Sequence, residues 1–391
     1  MVCGLTSVVS FVLTASTVRR QGNETPYAKE DLLQPGTQRL RLQVLKTLPQ
    51  PVIGKNTPGA EKIPGGFEAG TTVKVTIDGK SEYHLFSHSY QTLDWSRSQA
   101  DHWFSKDGFK WQHAGTLLTP YTDEKTGLFC TYGHPTPFYV ETQDRWYMFY
   151  SIFRNSKAGW VPQNTIVYSA RSKVSGAMGI RGPWEFPGEV VFIPGISSPS
   201  PNMVAVSISC PFQVKDGGWA IFFCPSIGED HPIPMLSATQ RWPVALSFGA
   251  SPTGPFTCLD PCEPVPMIDP SDFTENVLPI KVHGPKSGRD YWVAVFDFLA
   301  PEVTEFTPKN VFGFSWSDDG VHWPVEHGQL VNVDDGLAPG ERGWWRGAWA
   351  IRTPHQMIDE GDGTSTTPRR RSRPGRTMAR RSLCSIAQAV L

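Results

Sequence analysis

No stretch of this sequence is both long and apolar enough to span a membrane, so no membrane partner is expected. An excess of either charge is also lacking: 36 Lys and Arg stand against 37 Asp and Glu, a net charge of −1. That balance points to no nucleic-acid partner. Cysteine is sparse and odd in number, seven in 391 residues, which excludes the disulfide framework of a small secreted domain. No Cys/His spacing matches a zinc site, so neither a structural metal nor a cofactor is expected. One pair, Cys258 and Cys262, is spaced to close a tight loop, while Cys210 and Cys224 read as buried strand thiols. The first 17 residues lack a basic n-region, although Val8–Leu13 has the character of a signal h-region and Ala15 and Thr17 are small. A secretory signal, a gene-model artefact and a disordered start all stay open there. Asn23-Glu24-Thr25 is a glycosylation sequon, and a secreted protein is the expectation.

Turn formers and aromatics are plentiful, with 36 Gly, 35 Pro and 14 Trp. Most of those Trp residues are expected to pack between sheets. The glycine-rich stretch Gly65-Gly66-Phe67-Glu68-Ala69-Gly70 leads into the β-branched run Thr71–Val75. Short strands follow at Tyr83–Ser87 and up to Trp103–Trp111, a meander of antiparallel strands. The same grammar returns: Phe273-Thr274-Glu275-Asn276 precedes Val277–Val282, then Asp290–Phe296, then Phe312–Trp323. Ser-x-Asp-Gly-x-x-Trp closes both units, at Ser105–Trp111 and Ser317–Trp323. Related units begin at Pro137–Glu141, Pro211–Lys215 and Gly347–Arg352. Five degenerate repeats of short strands imply radial repetition, hence an all-β, five-bladed β-propeller. The fifth repeat breaks off at Asp362-Gly363-Thr364, so an incomplete fifth blade is expected.

Residues 1–62 read as a signal-like start and an extended lead-in, 63–367 as the propeller, and 368–391 as a tail. That tail holds seven arginines and no acid; without it the chain has 29 basic against 37 acidic residues, a net of −8. Arginine clusters attract phosphates, but a shifted reading frame or misplaced splice boundary accounts better for so foreign a composition. The tail is expected to stand outside the fold.

Gly-Gly-Phe-Glu-Ala-Gly-Thr before a first strand, Arg145-Trp146-Tyr147-Met148-Phe149-Tyr150-Ser151, the Ser-x-Asp-Gly-x-x-Trp closures, Gly182-Pro183-Trp184 and Phe273-Thr274-Glu275-Asn276 together resemble the five-bladed β-propeller glycoside hydrolases, the arabinanase, xylosidase, invertase and anhydro-galactosidase relatives. The resemblance covers residues 63–364. It implies a monomeric glycosidase acting on the end of an oligosaccharide or polysaccharide, with two carboxylates at inner-strand entrances of blades one and four. Those are Glu68, as base or nucleophile, and Glu275, as acid, with the roles exchangeable. Such a pair supplies what cleavage of a glycosidic bond needs: a proton for the leaving oxygen, and activation of water or direct attack. Blades one and four are not adjacent, which favours the wider, inverting separation.

The family's third acid, an Asp entering blade two, is replaced here by Tyr132-Gly133-His134-Pro135-Thr136. His134 has three open roles: contact with sugar, a place near an axial ion, or satisfaction of strand ends. Asp297 is a candidate substitute for the acid. Trp345 and Arg346 are positioned to stack on and hold a sugar, or to form a packing corner, and His88, Asp94 and Trp95 to fence the same funnel. A catalytically inactive sugar-binding propeller is the competing reading.

Overall fold

A computed structural model describes residues 7–15, 40–92, 97–155, 162–192, 203–227, 244–258, 265, 267, 274, 276–283, 288–298, 311–343, 352–359 and 384–389. Two strands, β1 (Ser7–Ala15) and β2 (Leu40–Thr47), precede a four-stranded meander of β3 (Phe67–Ile77), β4 (Lys80–Tyr90), β5 (Ser98–Ser105) and β6 (Trp111–Leu118). The second sheet holds β7 (Tyr121–Thr122), β8 (Phe129–Val140), β9 (Arg145–Asn155), β10 (Pro162–Ser175) and β11 (Trp184–Phe192). The third holds β12 (Met203–Ile208), β13 (Phe212–Gln213), β14 (Trp219–Ile227), β15 (Ala245–Gly249) and β16 (Thr257–Cys258), and the fourth β17 (Leu278–His283), β18 (Asp290–Phe296), β19 (Val311–Ser317) and β20 (Gln329–Asn332). Finally come β21 (Arg352–Asp359) and β22 (Cys384–Ala389). Helix among the described residues is confined to short 3₁₀ turns, and none is long and apolar enough to cross a membrane.

Four sheets are thus sequential antiparallel meanders in a propeller-like arrangement of four blades. A fifth sheet, ordered β2-β1-β22-β21, draws strands from opposite ends of the sequence. It lies between blades four and one: β21 meets β17 and β18 on one side and β3 on the other. On its far edge, the Gln329 side-chain amide clamps Leu42 by donating to its carbonyl at 2.8 Å and accepting from its N–H at 3.0 Å. The Arg-rich tail, expected outside the fold, therefore contributes Cys384–Ala389 to a sheet. Among the described residues, the strand that pairs with β21 is β22, beyond the arginine run.

Apolar layers fill the gaps between neighbouring sheets. Phe86, Tyr132, Met148 and Ile180 join blades one and two; Phe149, Val191, Ile221 and Phe256 join two and three; Phe222, Trp292, Phe296 and Trp323 join three and four. Leu40, Leu42, Val293, Phe314 and Met357 join blade four to the fifth sheet. The lead-in takes part as well, with Ile53 and Ile63 packing on Phe67, Leu85 and Trp103 of blade one. Each strand alternates its faces, so a blade in the ring buries both and reads as a nearly continuous apolar run. Tyr147-Met148-Phe149-Tyr150 does so, with all four side chains buried.

Candidate active site

The inner strands β3, β8 and β12 converge at one place. The Cys210 thiol, just after β12, donates to Pro137 O of β8 at 3.4 Å and also bonds Thr71 of β3. Burial pushes that thiol up to about 12, so it is no nucleophile. Cys210 stands in the bridge between β12 and β13 rather than in a strand, whereas Cys224 is buried within β14. Cys262 lies outside the described residues.

Glu68 is the second residue of β3, directly opposite His88 of β4. The ladder then skips Ala69 and resumes at Gly70 opposite Ser87, a β-bulge that re-aims the strand beside Glu68. Gly70 sits at φ 151°, and a Cβ there would stand 2.1 Å from the Phe86 carbonyl oxygen. That glycine serves the close approach of two strands rather than of a ligand. The phenol of Tyr90 donates to Glu68 Oε2 at 2.8 Å. Tyr90 and His88 are two apart on a strand and share a face, so parity alone could have found Tyr90 once Glu68 and His88 were singled out.

His134 arrives from blade two by a similar device. Pairing of β8 with β9 breaks between Gly133 and Thr136, and His134 adopts φ 50°. Thr136 Oγ1 donates to the His134 carbonyl at 2.7 Å and steadies the bulge. The His134 ring centroid then lies 5.3 Å from that of His88, with Phe153 5.9 Å from His88 and 6.0 Å from His134. Burial holds His88 neutral, its pKa brought down to about 3. Glu68, His88, Tyr90 and His134 therefore form one grouping.

A second grouping stands in blade four. Asp297, 1% exposed just past β18, accepts at 3.0 Å from the Asn276 side-chain amide, and Asn276 has φ 51°. Asn276 stood in the Phe273-Thr274-Glu275-Asn276 motif without being singled out as a site residue. Glu275, Asp94, Trp95, Trp345 and Arg346 lie outside the described residues. Among the described residues no cluster of three or more His, Cys, Asp or Glu side chains fits a metal ion. At the other end of blade four a cleft of about 360 Å³ is lined by Lys215, Lys281, Arg289, Asp290, Trp292 and Asp318. There Lys281 pairs with Asp290 at 2.8 Å and Arg289 with Asp318 at 2.7 Å.

Fold and site together define an all-β, propeller-like protein with a carboxylate on β3 grouped with imidazoles from β4 and β8. No protein-family model and no curated protein matches the sequence. Solved structures similar to it include an exo-beta-1,3-galactanase from Clostridium thermocellum, at 14% identity and a TM-score of 0.46, over 78% of this chain and 53% of that one. This chain thus spans about half the length of that galactanase. Others are an exo-1,5-alpha-L-arabinanase from a bovine ruminal metagenomic library (12% identity, TM-score 0.45, 84% of this chain and 94% of that one) and a family 43 endo-arabinanase from Bacillus licheniformis (14%, 0.44, 78% and 88%). Likeness of this degree assigns neither family nor activity to the chain.

Proposed function

We propose that this protein is a glycoside hydrolase that cleaves a terminal glycosidic bond, with Glu68 and Glu275 as its carboxylate pair. The observation that carries the reading is the Glu68 grouping. A half-buried carboxylate sits at a bulge on the inner strand of blade one, fixed by the Tyr90 phenol and faced by the buried imidazoles of His88 and His134. Support for its partner is indirect: Glu275 immediately precedes Asn276, whose left-handed backbone and bond to Asp297 open blade four. In this reading Glu275 protonates the leaving oxygen and Glu68 activates water or attacks the anomeric carbon. Asp297, held through Asn276, tunes the acid in place of the missing blade-two Asp. Trp95, Trp345 and Arg346 contact the sugar. We take the fifth sheet to be the fifth blade of a closed ring, acting as a monomer on a chain end.

The test is a screen of chromogenic glycosides, followed by Glu68→Gln and Glu275→Gln on the best substrate. Each amide keeps the shape but loses the titratable group, so turnover is expected to fall by about 10²–10⁴-fold or more, with the melting temperature nearly unchanged. Near-wild-type turnover in either variant removes that residue from the mechanism. The substitution of the blade-two Asp by the His134 segment favours one competing reading, a sugar-binding propeller without turnover. Saturable sugar binding with no hydrolysis of any glycoside would establish it.

A further inference from the structure

His88 is a buried polar group that the fold itself leaves unexplained. It is 5% exposed, and neither ring nitrogen has a hydrogen-bond partner among the described residues. Leaving a buried donor and acceptor unmade costs stability, and native interiors rarely accept that. Other buried imidazoles of blade one each keep at least one bond: His84 Nδ1 and His102 Nε2 bond each other at 2.9 Å, and His113 Nε2 bonds Asp101, which also accepts from Gln99 and Thr116. His88 differs in position as well as in satisfaction. It is the cross-strand neighbour of Glu68, with Tyr90 5.0 Å, His134 5.3 Å and Phe153 5.9 Å away between ring centroids.

We propose that His88 is a specificity-determining residue that recognises a hydroxyl of an uncharged sugar through one ring nitrogen, the hydroxyl donating to it or accepting from it. This rests on the sugar-directed reading of the site. A neutral imidazole carries one donor and one acceptor, and a sugar hydroxyl offers the same two capacities in return. A carboxylate or sulfate only accepts, so it could pair with the N–H alone, and it would face the Glu68 carboxylate. Burial keeps the ring uncharged down to about pH 3, so it offers no cation to an acidic sugar at ordinary pH. Tyr90 and Phe153 meanwhile pack against the ring and hold it in place.

The decisive comparison sets His88→Leu and His88→Gln against wild type, with neutral glycosides and their uronic-acid counterparts as substrates. In parallel, imidazole ¹H–¹⁵N signals of the wild type are followed during titration with galactose, arabinose, xylose and galacturonate. Expected are a shift of the His88 ring signals with a neutral sugar only, and a fall of at least about tenfold in kcat/KM for His88→Leu. The melting temperature of His88→Leu should equal or exceed that of wild type, because an unmade polar group has been removed. His88→Gln, which keeps a donor and an acceptor, should recover part of the loss. An active enzyme in which His88→Leu retains wild-type kcat/KM and the same neutral-to-acidic ratio overturns this inference alone. Should His88→Leu fail to fold, unmoved His88 signals at saturating neutral sugar overturn it equally. A wild type that hydrolyses no glycoside and binds no sugar overturns the functional reading, and this inference with it.

Discussion

Three imidazoles give blade one a dependence on pH. His84, His88 and His102 are all at least nine-tenths buried. Burial lowers them to about 4, 3 and 3; the neighbouring His84 and His113 lower His102 further, whereas Glu82 opposes the fall at His84. In the unfolded chain each titrates near 6.5. The folded state therefore binds fewer protons below that value. Their contribution to stability is complete above about pH 6.5 and is lost as pH falls toward 3–4, at up to about 1.4 kcal/mol per pH unit for each ring. Scanning calorimetry should show a melting temperature that is level between pH 7 and 8 and declines steadily from pH 6.5 to 4.5. His102→Gln should make the decline shallower. A wild-type melting temperature that stays level down to pH 4.5 would refute the burial of these rings. Nothing in the sequence marked His84 and His102 as a pair, because their bond crosses β4 and β5, and register between strands is invisible until both turns are known.

At the scale of elements, the Ser-x-Asp-Gly-x-x-Trp closures were legible because every bond they make is local. Ser317 Oγ accepts from the Asp319 and Gly320 amides, Asp319 Oδ1 accepts from those of Val321 and His322, and Trp323 Nε1 donates to Gly320 O. Ser105, Asp107, Gly108 and Trp111 repeat these bonds in blade one. A stretch read as one strand up to Trp111 is consequently split, β5 ending at Ser105 and β6 beginning at Trp111. Asp319→Ala strips two backbone donors of their acceptor and is expected to cost about 1–2 kcal/mol. Gly320→Ala should cost about 1–3 kcal/mol, since Gly320 has φ 82° and a Cβ would stand 3.2 Å from the Trp292 ring. Urea denaturation measures both, and a change below about 0.5 kcal/mol in each would mean that these turns do not hold the outer strands. The bulges beside Glu68 and His134 were not legible. The glycine-rich stretch advertised the first without its register, and the second falls between Gly133 and Thr136, ahead of Pro137, where the repeat was read to begin.

For the whole molecule, repetition announced the radial plan, but the make-up of the fifth sheet did not show. β22 sits between β1 and β21 in the fifth sheet, and its six residues carry no repeat motif. Pairing between segments so far apart leaves no trace in local composition, whereas the arginine run before β22 leaves a strong and misleading one. Truncation after residue 383 should leave β1 and β21 without their shared partner and lower the melting temperature by several degrees. A truncated protein with the full wild-type melting temperature would return residues 368–391 to the status their composition suggested. Of the candidate site, the Glu68 grouping was readable as a carboxylate and two histidines, and the structure supplied the Tyr90 and Asn276 contacts.

The pairing of Ser7 with Gln388 also sets an order of events during synthesis. On a ribosome that adds about 5–20 residues per second, β1 and β2 emerge long before β22, the strand that joins them to β21. Until β22 emerges the nascent chain carries an open hairpin edge able to pair with another copy. Crowded polysomes thus present this protein's greatest aggregation hazard, and cells that supply a holdase should yield more soluble product at the same rate of transcription.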